Sequence, residues 1–251
     1  MSATTAARGR IRHPYQPGLE IRAVLFDLDG TLYAQKPIQM RMALELAALP
    51  LRKPFAAAGI LRALRSYRHA QEELRGREAE AGSLADAQVA IAARRSGLSH
   101  ETVAALVDEW MIRRPLKYLR SQLAPGTLEL LDRLARAGVQ VGLLSDYPAV
   151  DKLQALGLAG RFSPILCSSD PGINRFKPDP RGFRVAAETW GLPTDQVLMV
   201  GDRYEVDFKG AQAAGMPCAL VGAPRHVPPA HAAAVFPSLE RLARVIDDAD
   251  D

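Results

Sequence analysis

Cysteine is scarce in this 251-residue chain. Cys167 and Cys218 are the only two, and neither sits in a Cys-x-x-Cys pair. That excludes a disulfide framework and fits a reducing compartment, so the expected location is the cytoplasm. No apolar run approaches the length of a membrane span, and no membrane partner is expected. The first residues lack a secretory apolar segment; their arginines and hydroxyl residues read as an ordinary tail rather than a transit peptide. There is no phosphate-binding Gly-x-x-x-x-Gly-Lys loop and no Gly-x-Ser-x-Gly elbow. His100-Glu101 opens like a zinc-protease motif, but Ala104 stands where the second histidine belongs. His226 and His231 lie in a proline-rich stretch with no matching cysteines. Aromatics make up 6% of the chain, and Trp110 and Trp190 read most simply as core.

Apolar residues are plentiful at 48%, enough for one large domain or a domain with an insert. The net charge of +4 is unevenly spread. Residues 1–22 carry +3 and residues 34–119 carry +5, while residues 23–33 and 120–251 each carry −2. A basic segment beside a slightly acidic remainder suits a small anionic substrate. Without an RNP, helix-turn-helix or zinc-finger pattern, no nucleic-acid partner is expected. Oligomeric state is unreadable.

Residues 1–20 contain Gly9, Pro14, Pro17 and Gly18 and read as a flexible arm. A short apolar run, Ile21–Phe26, reads as a buried strand. From about Tyr33 to Arg120 the pattern is helical. Ile60, Leu61, Leu64, Tyr67 and Leu74 fit one helical face. Ser83 and Ser99 are placed as N-caps, with Asp86 supporting the first dipole. Thr102, Leu106 and Trp110 predict the buried face of the second helix, which Pro115 limits. After Leu123 strands and helices alternate. Predicted strands are Val139–Leu144, Ile165–Cys167, Val197–Val200 and Ala219–Val221. Predicted helices run from Pro125-Gly126 to Arg136, then Ala149–Leu156, Pro180–Trp190, Glu205–Ala214 and Leu239–Ile246, before the acidic Asp247–Asp251 tail. The expected fold is therefore α/β: a Rossmann-like, doubly wound parallel sheet with an inserted all-helical segment. Residues 21–33 and 121–251 form the core, and residues 34–120 the insert.

In such a sheet ligands bind beyond the carboxyl ends of the strands. Four stretches lie there. Asp27 and Asp29 follow the first strand, two residues apart and so directed to one side, and Gly30 permits a sharp turn. Ser145-Asp146 ends the second strand. Lys177-Pro178 lies between a strand and a helix. Gly201-Asp202-Arg203-Tyr204-Glu205-Val206-Asp207 follows another strand.

These four motifs, Asp-x-Asp-Gly-Thr, hydrophobic-Ser, Lys-Pro and Gly-Asp-x-x-x-x-Asp, resemble in kind and order the haloacid dehalogenase superfamily. The resemblance spans about Ile21 to Val221, and the insert resembles that family's helical cap. It implies a magnesium-dependent phosphatase acting on a small phosphorylated metabolite through an aspartyl-phosphate. A phosphate monoester is a dianion that repels a carboxylate nucleophile, so the charge must first be neutralised. The resemblance makes Asp27 the nucleophile and Asp29 the general acid and base. It gives Ser145 a hydrogen bond to a phosphate oxygen and Lys177 a neutralising charge. Mg²⁺ would lie between Asp27, Asp202 and the backbone carbonyl of Asp29. Asp207 orients Lys177 or the metal's waters, or else serves the first turn of its helix. Asp146, where the family more often has Asn or Gly, either faces the leaving group or caps the next helix. Ser145, read alone, is a turn serine, and Lys177 a surface lysine.

Asp29 favours phosphoryl chemistry, because the superfamily's dehalogenases lack an aspartate there. Two alternatives share the core motifs: a phosphoglucomutase-like phosphotransferase, and a low-turnover binding or regulatory protein. Thr31 leans toward the phosphatase by resemblance. In the insert, Arg62, Arg65, Arg68 and His69 make one helix side basic, either to attract the substrate or as a solvated face. Tyr33 begins the linker, where hinge residues would let a cap open and close.

Overall fold

The computed structural model describes residues 9–14, 16, 18–52, 55–75 and 82–246. The first eight residues of the arm and the acidic Asp247–Asp251 tail lie outside them. Eight strands are present among the described residues: β1 (Ile11–Arg12), β2 (Glu20–Ile21), β3 (Ala23–Phe26), β4 (Gln140–Ser145), β5 (Ile165–Cys167), β6 (Val197–Gly201), β7 (Cys218–Val221) and β8 (Val235–Phe236). Six of them form one sheet in the order β5-β4-β3-β6-β7-β8, with every pair parallel. The chain moves outward from β3 to β5, then crosses back to β6, so the strand order reverses beside β3. Doubly wound sheets bind ligands at that switch point.

Period-two alternation explains why this sheet is covered on both faces. Along β3, Val24 and Phe26 enter one core while Ala23 and Leu25 enter the other. Leu143 and Leu144 on β4, and Val200 and Met199 on β6, divide in the same way. The first face is closed by α7 (Thr127–Arg136), α8 (Val150–Leu156) and α11 (Leu239–Val245), the second by α9 (Arg181–Trp190) and α10 (Lys209–Ala214). Each fully buried Val, Leu or Phe here contributes ~1.5–3 kcal/mol, which is why a short, wholly buried strand such as β3 holds its register.

Between β3 and α7 the described chain is helical: α1 (Gln35–Ala47), α2 (Leu49–Arg52), α3 (Ala57–Leu74), α4 (Leu84–Ser96), α5 (His100–Val107), a π-helical turn (Asp108–Arg113) and α6 (Arg114–Leu119). The two chain crossings into this insert lie side by side. Ala34 N–H donates to Gln122 at 2.8 Å and Ala124 N–H to Leu32 at 2.9 Å, with Tyr33 bridging Leu123. Ser83 and Ser99 cap α4 and α5 as expected, accepting from Asp86 and Thr102 N–H. No helix among the described residues is long and apolar enough to cross a membrane.

Some expectations shift. Part of the stretch read as an irregular arm is ordered: Ile11 is buried and pairs antiparallel with Ile21, so β2 splits from β3. On α5 the buried residues are Val103 and Val107, joined by Trp110, while Thr102 is exposed. Pro115 does not stop the helix. The wide turn of Asp108–Arg113 precedes it, and Pro115 falls in the first turn of a renewed helix, where a missing N–H costs little. Leu61 is exposed, whereas Ile60, Leu64 and Tyr67 are buried.

Candidate active site

Strand register brings the motifs to one edge. Phe26 lies opposite Leu143 on β4 and Val200 on β6, so the residues that follow all three emerge together. Asp27 N–H donates to Val200 at 2.9 Å, which fixes the first carboxylate at the switch point.

Asp27 is buried, with 6% of the residue exposed. Its Oδ1 accepts from Lys177 Nζ at 2.5 Å and its Oδ2 from the Thr31 hydroxyl at 2.9 Å. Lys177 comes from the loop before α9 and is 3% exposed. Its Nζ also donates to Asp207 Oδ1 at 2.7 Å and to the Leu144 carbonyl at 3.4 Å. Asp207, in the helical turn Tyr204–Phe208, takes a second bond on Oδ2 from Arg203 N–H at 3.0 Å, which fixes the carboxylate that meets the lysine. Burial works against charge on Lys177, but the Asp207 and Asp27 carboxylates overcome it and raise its pKa. Burial also pushes the Asp27 pKa well up; Lys177 opposes this, while Asp207, Asp202 and Asp29 reinforce it.

Asp29 points another way. Both its oxygens meet Lys152 Nζ of α8, at 2.6 and 2.8 Å, and Oδ1 also accepts from the Tyr33 hydroxyl. Burial, then the Asp29 charge, raises the Tyr33 pKa.

Ser145 is fully buried, and its Oγ accepts from Tyr147 N–H at 3.2 Å, the geometry of a turn serine. Asp146 does not cap α8. Its Oδ1 accepts from the Ser168 hydroxyl at 2.7 Å and Lys177 N–H at 3.2 Å, and its Oδ2 from Arg75 at 2.7 Å and Gln71 at 3.5 Å. Burial works against its charge, but Lys177 and Arg75 prevail and lower its pKa. Arg75 ends α3, donates also to the Lys177 carbonyl, and stands over the Phe176 ring at 5.8 Å. Tyr67, Gln71 and Arg75 thus form one stripe of α3 facing the Asp146-Tyr147 turn, and Gln71 accepts from the Tyr147 hydroxyl at 2.6 Å. Asn174 holds the insert at a second point, accepting from Leu84 N–H at 2.7 Å. Arg62, Arg65, Arg68 and His69 lie on the exposed side of α3.

A hard cation has a suitable donor set here. Oxygens of Asp27, Asp202 and Asp207 lie within 4.8 Å of one another. Asp207 is committed to Lys177 and Arg203, whereas buried Asp202 Oδ1 has no hydrogen-bond partner. Buried carboxylate oxygens are rarely left so. Burial, then the Asp207 charge, pushes the Asp202 pKa up to about 7. Gly30, at φ +105°, is what lets Asp202 approach, because a Cβ there would collide with its carboxylate. These residues fit Mg²⁺, with Asp27 and Asp202 as the available side-chain ligands.

Asp27, Lys177, Asp202 and Asp207 therefore converge as the sequence implied. Asp146 lies at the contact with the insert, and Ser145 beneath its turn. Sequence reasoning missed Lys152, Arg75 and Gln71. Lys152 left one signal: a cation in a helix's first turn is unfavourable unless an anion faces it. Arg75 left none, since a cation at a helix C-terminus is ordinary.

A doubly wound parallel sheet with a helical insert after its first strand, and acidic and lysine side chains at its switch point, defines a class of hydrolases. The chain belongs to the haloacid dehalogenase-like hydrolases, whose family pattern matches residues 21–215. It is an enzyme. Over 204 residues it is 31% identical to the glyceraldehyde 3-phosphate phosphatase of Methanopyrus kandleri, covering 78% of this chain and 82% of that one. It is 30% identical to the phosphoglycolate phosphatase of Yersinia pseudotuberculosis, covering 79% of each. The 2-haloacid dehalogenase of Pseudomonas syringae shares the fold, with a TM-score of 0.62, 22% identity, and coverage of 90% of this chain and 97% of that one.

Proposed function

We propose that the chain is a Mg²⁺-dependent phosphatase that hydrolyses a small phosphorylated metabolite through an aspartyl-phosphate on Asp27. The observation that carries this reading is the Asp27–Lys177–Asp207 chain, buried at the switch point beside an Asp202 oxygen that lacks a partner. It supports the reading by bringing Asp27, the Lys177 ammonium and the Asp202 oxygen to one strand edge. The phosphatase relatives support the reaction class. Asp29 supports it too, because carbon–halogen cleavage needs no proton donor there.

Asp27 attacks phosphorus as the bond to the leaving oxygen breaks, and Asp29 gives its proton to that oxygen. In the second half Asp29 takes a proton from water as water attacks phosphorus and the Asp27–phosphorus bond breaks. Lys177 offsets the phosphoryl charge and keeps Asp27 aimed, while Asp207 keeps Lys177 in place. We assign the Ser145 hydroxyl as a hydrogen-bond donor to a phosphoryl oxygen. When bound, Mg²⁺ would be held by Asp27, Asp202 and the Asp29 carbonyl, and would supply charge neutralisation. We read residues 34–120 as a cap hinged at Tyr33 and Leu123 that closes over the site. The two cysteines, neither of them in a disulfide, fit a cytoplasmic enzyme.

The test is release of inorganic phosphate from a panel of small phosphomonoesters, including glyceraldehyde 3-phosphate and phosphoglycolate, with Mg²⁺ and with a chelator. Hydrolysis with Mg²⁺ and none with chelator is expected. Metal-independent turnover, or phosphoryl transfer to a second sugar hydroxyl without phosphate release, would overturn the reading.

A further inference from the structure

We infer that Lys152 is a positioning residue for the acid–base group, holding the Asp29 carboxylate in a set rotamer between the core and the start of the insert. The inference rests on the phosphatase reading above and deepens it.

Three observations converge. First, Lys152 is buried, and its Nζ contacts both Asp29 oxygens, at 2.6 and 2.8 Å. The near-equal contacts set the ammonium close to the carboxylate's bisector and so fix where the carboxylate points, while the Tyr33 hydroxyl on Oδ1 fixes its rotation about the Cβ–Cγ axis. Second, the lysine stands in the first turn of α8, where the helix end is itself positive. A buried cation there without a facing carboxylate is unfavourable twice over, by desolvation and by the dipole. Helix stability therefore gives no reason for a lysine at that position, while Asp29 does. Third, the Tyr33 hydroxyl donates to Asp29 Oδ1, and Tyr33 is the residue that bridges Leu123 where the chain crosses between core and insert. Asp29 is thus gripped from α8 on one side and from the hinge on the other.

Asp27 is aimed by other groups, Lys177 and Thr31. The two carboxylates therefore have separate supports. Losing Lys152 frees Asp29 without loosening Asp27. The consequence is specific to the first half-reaction: proton donation to the leaving oxygen suffers, and the attack by Asp27 does not. General acid–base help is worth ~10²–10⁴-fold, and a misplacement of about 1 Å can cost on the order of 10².

The test compares Lys152→Met, Lys152→Arg and Tyr33→Phe in the full chain with Mg²⁺, on two substrates. An alkyl phosphate needs its leaving oxygen protonated; p-nitrophenyl phosphate does not. Lys152→Met is expected to lower kcat/KM for the alkyl ester by roughly 10–100-fold and to leave kcat/KM for the aryl ester within about threefold, while kcat falls for both esters because hydrolysis of the shared Asp27 adduct uses Asp29 as base. Lys152→Arg, which restores a two-point donor, should recover most of the loss, and Tyr33→Phe should show a smaller version of the same selectivity. Adding Lys152→Met to Asp29→Asn should cost nothing more on the alkyl ester. Equal losses of kcat/KM on both esters, no loss, or additive losses in the double variant overturn the inference. Should Lys152→Met fail to fold, Tyr33→Phe, alone and combined with Asp29→Asn, carries the same comparison. The phosphatase reading fails separately, if Asp29→Asn itself shows no difference between the two esters.

Discussion

Lys177→Met removes a cation that has carboxylates on two sides and almost no contact with water. The methionine keeps most of the side-chain volume, so the loss is electrostatic rather than a cavity. Lys177 lies 2.5 Å from Asp27 and 2.7 Å from Asp207. Removing one partner from a buried ion pair costs about 3–5 kcal/mol. A chain of 150–250 residues loses about 2–4 °C of Tm per kcal/mol, so the metal-free variant should melt ~6–20 °C lower at neutral pH. The loss must also depend on pH. Burial, reinforced by the neighbouring carboxylates, already holds the Asp27 pKa above the ordinary range, and without Lys177 it rises further. A carboxyl whose pKa is raised by folding supports the fold only while protonated, and that support vanishes as pH rises through the raised value. The gap between wild type and variant should therefore widen from acid to neutral pH. Circular dichroism melts in chelator across that range measure it, and Mg²⁺ should narrow the gap. A drop under about 2 °C, or one that ignores pH, would refute the assignment of Lys177 as the counter-charge that makes this acidic edge tolerable.

Gly30→Ala should lower Mg²⁺ affinity by more than about tenfold and destabilise the fold by ~1–3 kcal/mol. The added Cβ would collide with Asp202 at a positive φ; calorimetric titration reads the first effect, and unchanged affinity would show that Asp202 is not a ligand. With its pKa pushed up to about 7 by burial and then by Asp207, Asp202 in the metal-free protein binds a proton that the unfolded chain releases. Stability from that proton is present below the ordinary carboxylate range and is lost as pH rises through about 7, by at most ~1.4 kcal/mol per pH unit. Mg²⁺ must displace the same proton, so its apparent affinity should climb by up to about tenfold per unit on approaching pH 7 and then level off. Thermal shifts at fixed Mg²⁺ across that range would show it, and flat affinity would contradict it.

Much of the site was legible because its residues are tied to strand ends. Asp27, Ser145 and Asp202 each follow an apolar run, and parallel pairing aligns such runs by necessity. Lys177 was readable from its place between a strand and a helix. What escaped was the contact between the insert and the core. Arg75, Gln71 and Lys152 sit on helices whose orientation is set by tertiary packing, and nothing in a helical repeat says which polar residue on a face meets a partner. The shortest strands escaped for another reason. Two-residue elements such as β1, β2 and β8 carry too little alternation to read, and pairing alone defines them. On α5 the buried residues are Val103 and Val107 with Trp110 rather than Thr102 and Leu106, because a repeated spacing of four drifts across a helix face whose turn is about 3.6 residues.

The account stands most directly on Asp27. Rapid acid quench of the enzyme turning over a hydrolysed phosphomonoester with Mg²⁺, followed by peptide mass analysis, should find a transient phosphoryl adduct on the Asp27 peptide. Asp27→Asn should abolish both adduct and turnover while the melting curve shows an intact fold. Sustained turnover in that variant, or phosphate release with no adduct on Asp27 at any time, would contradict the central claim.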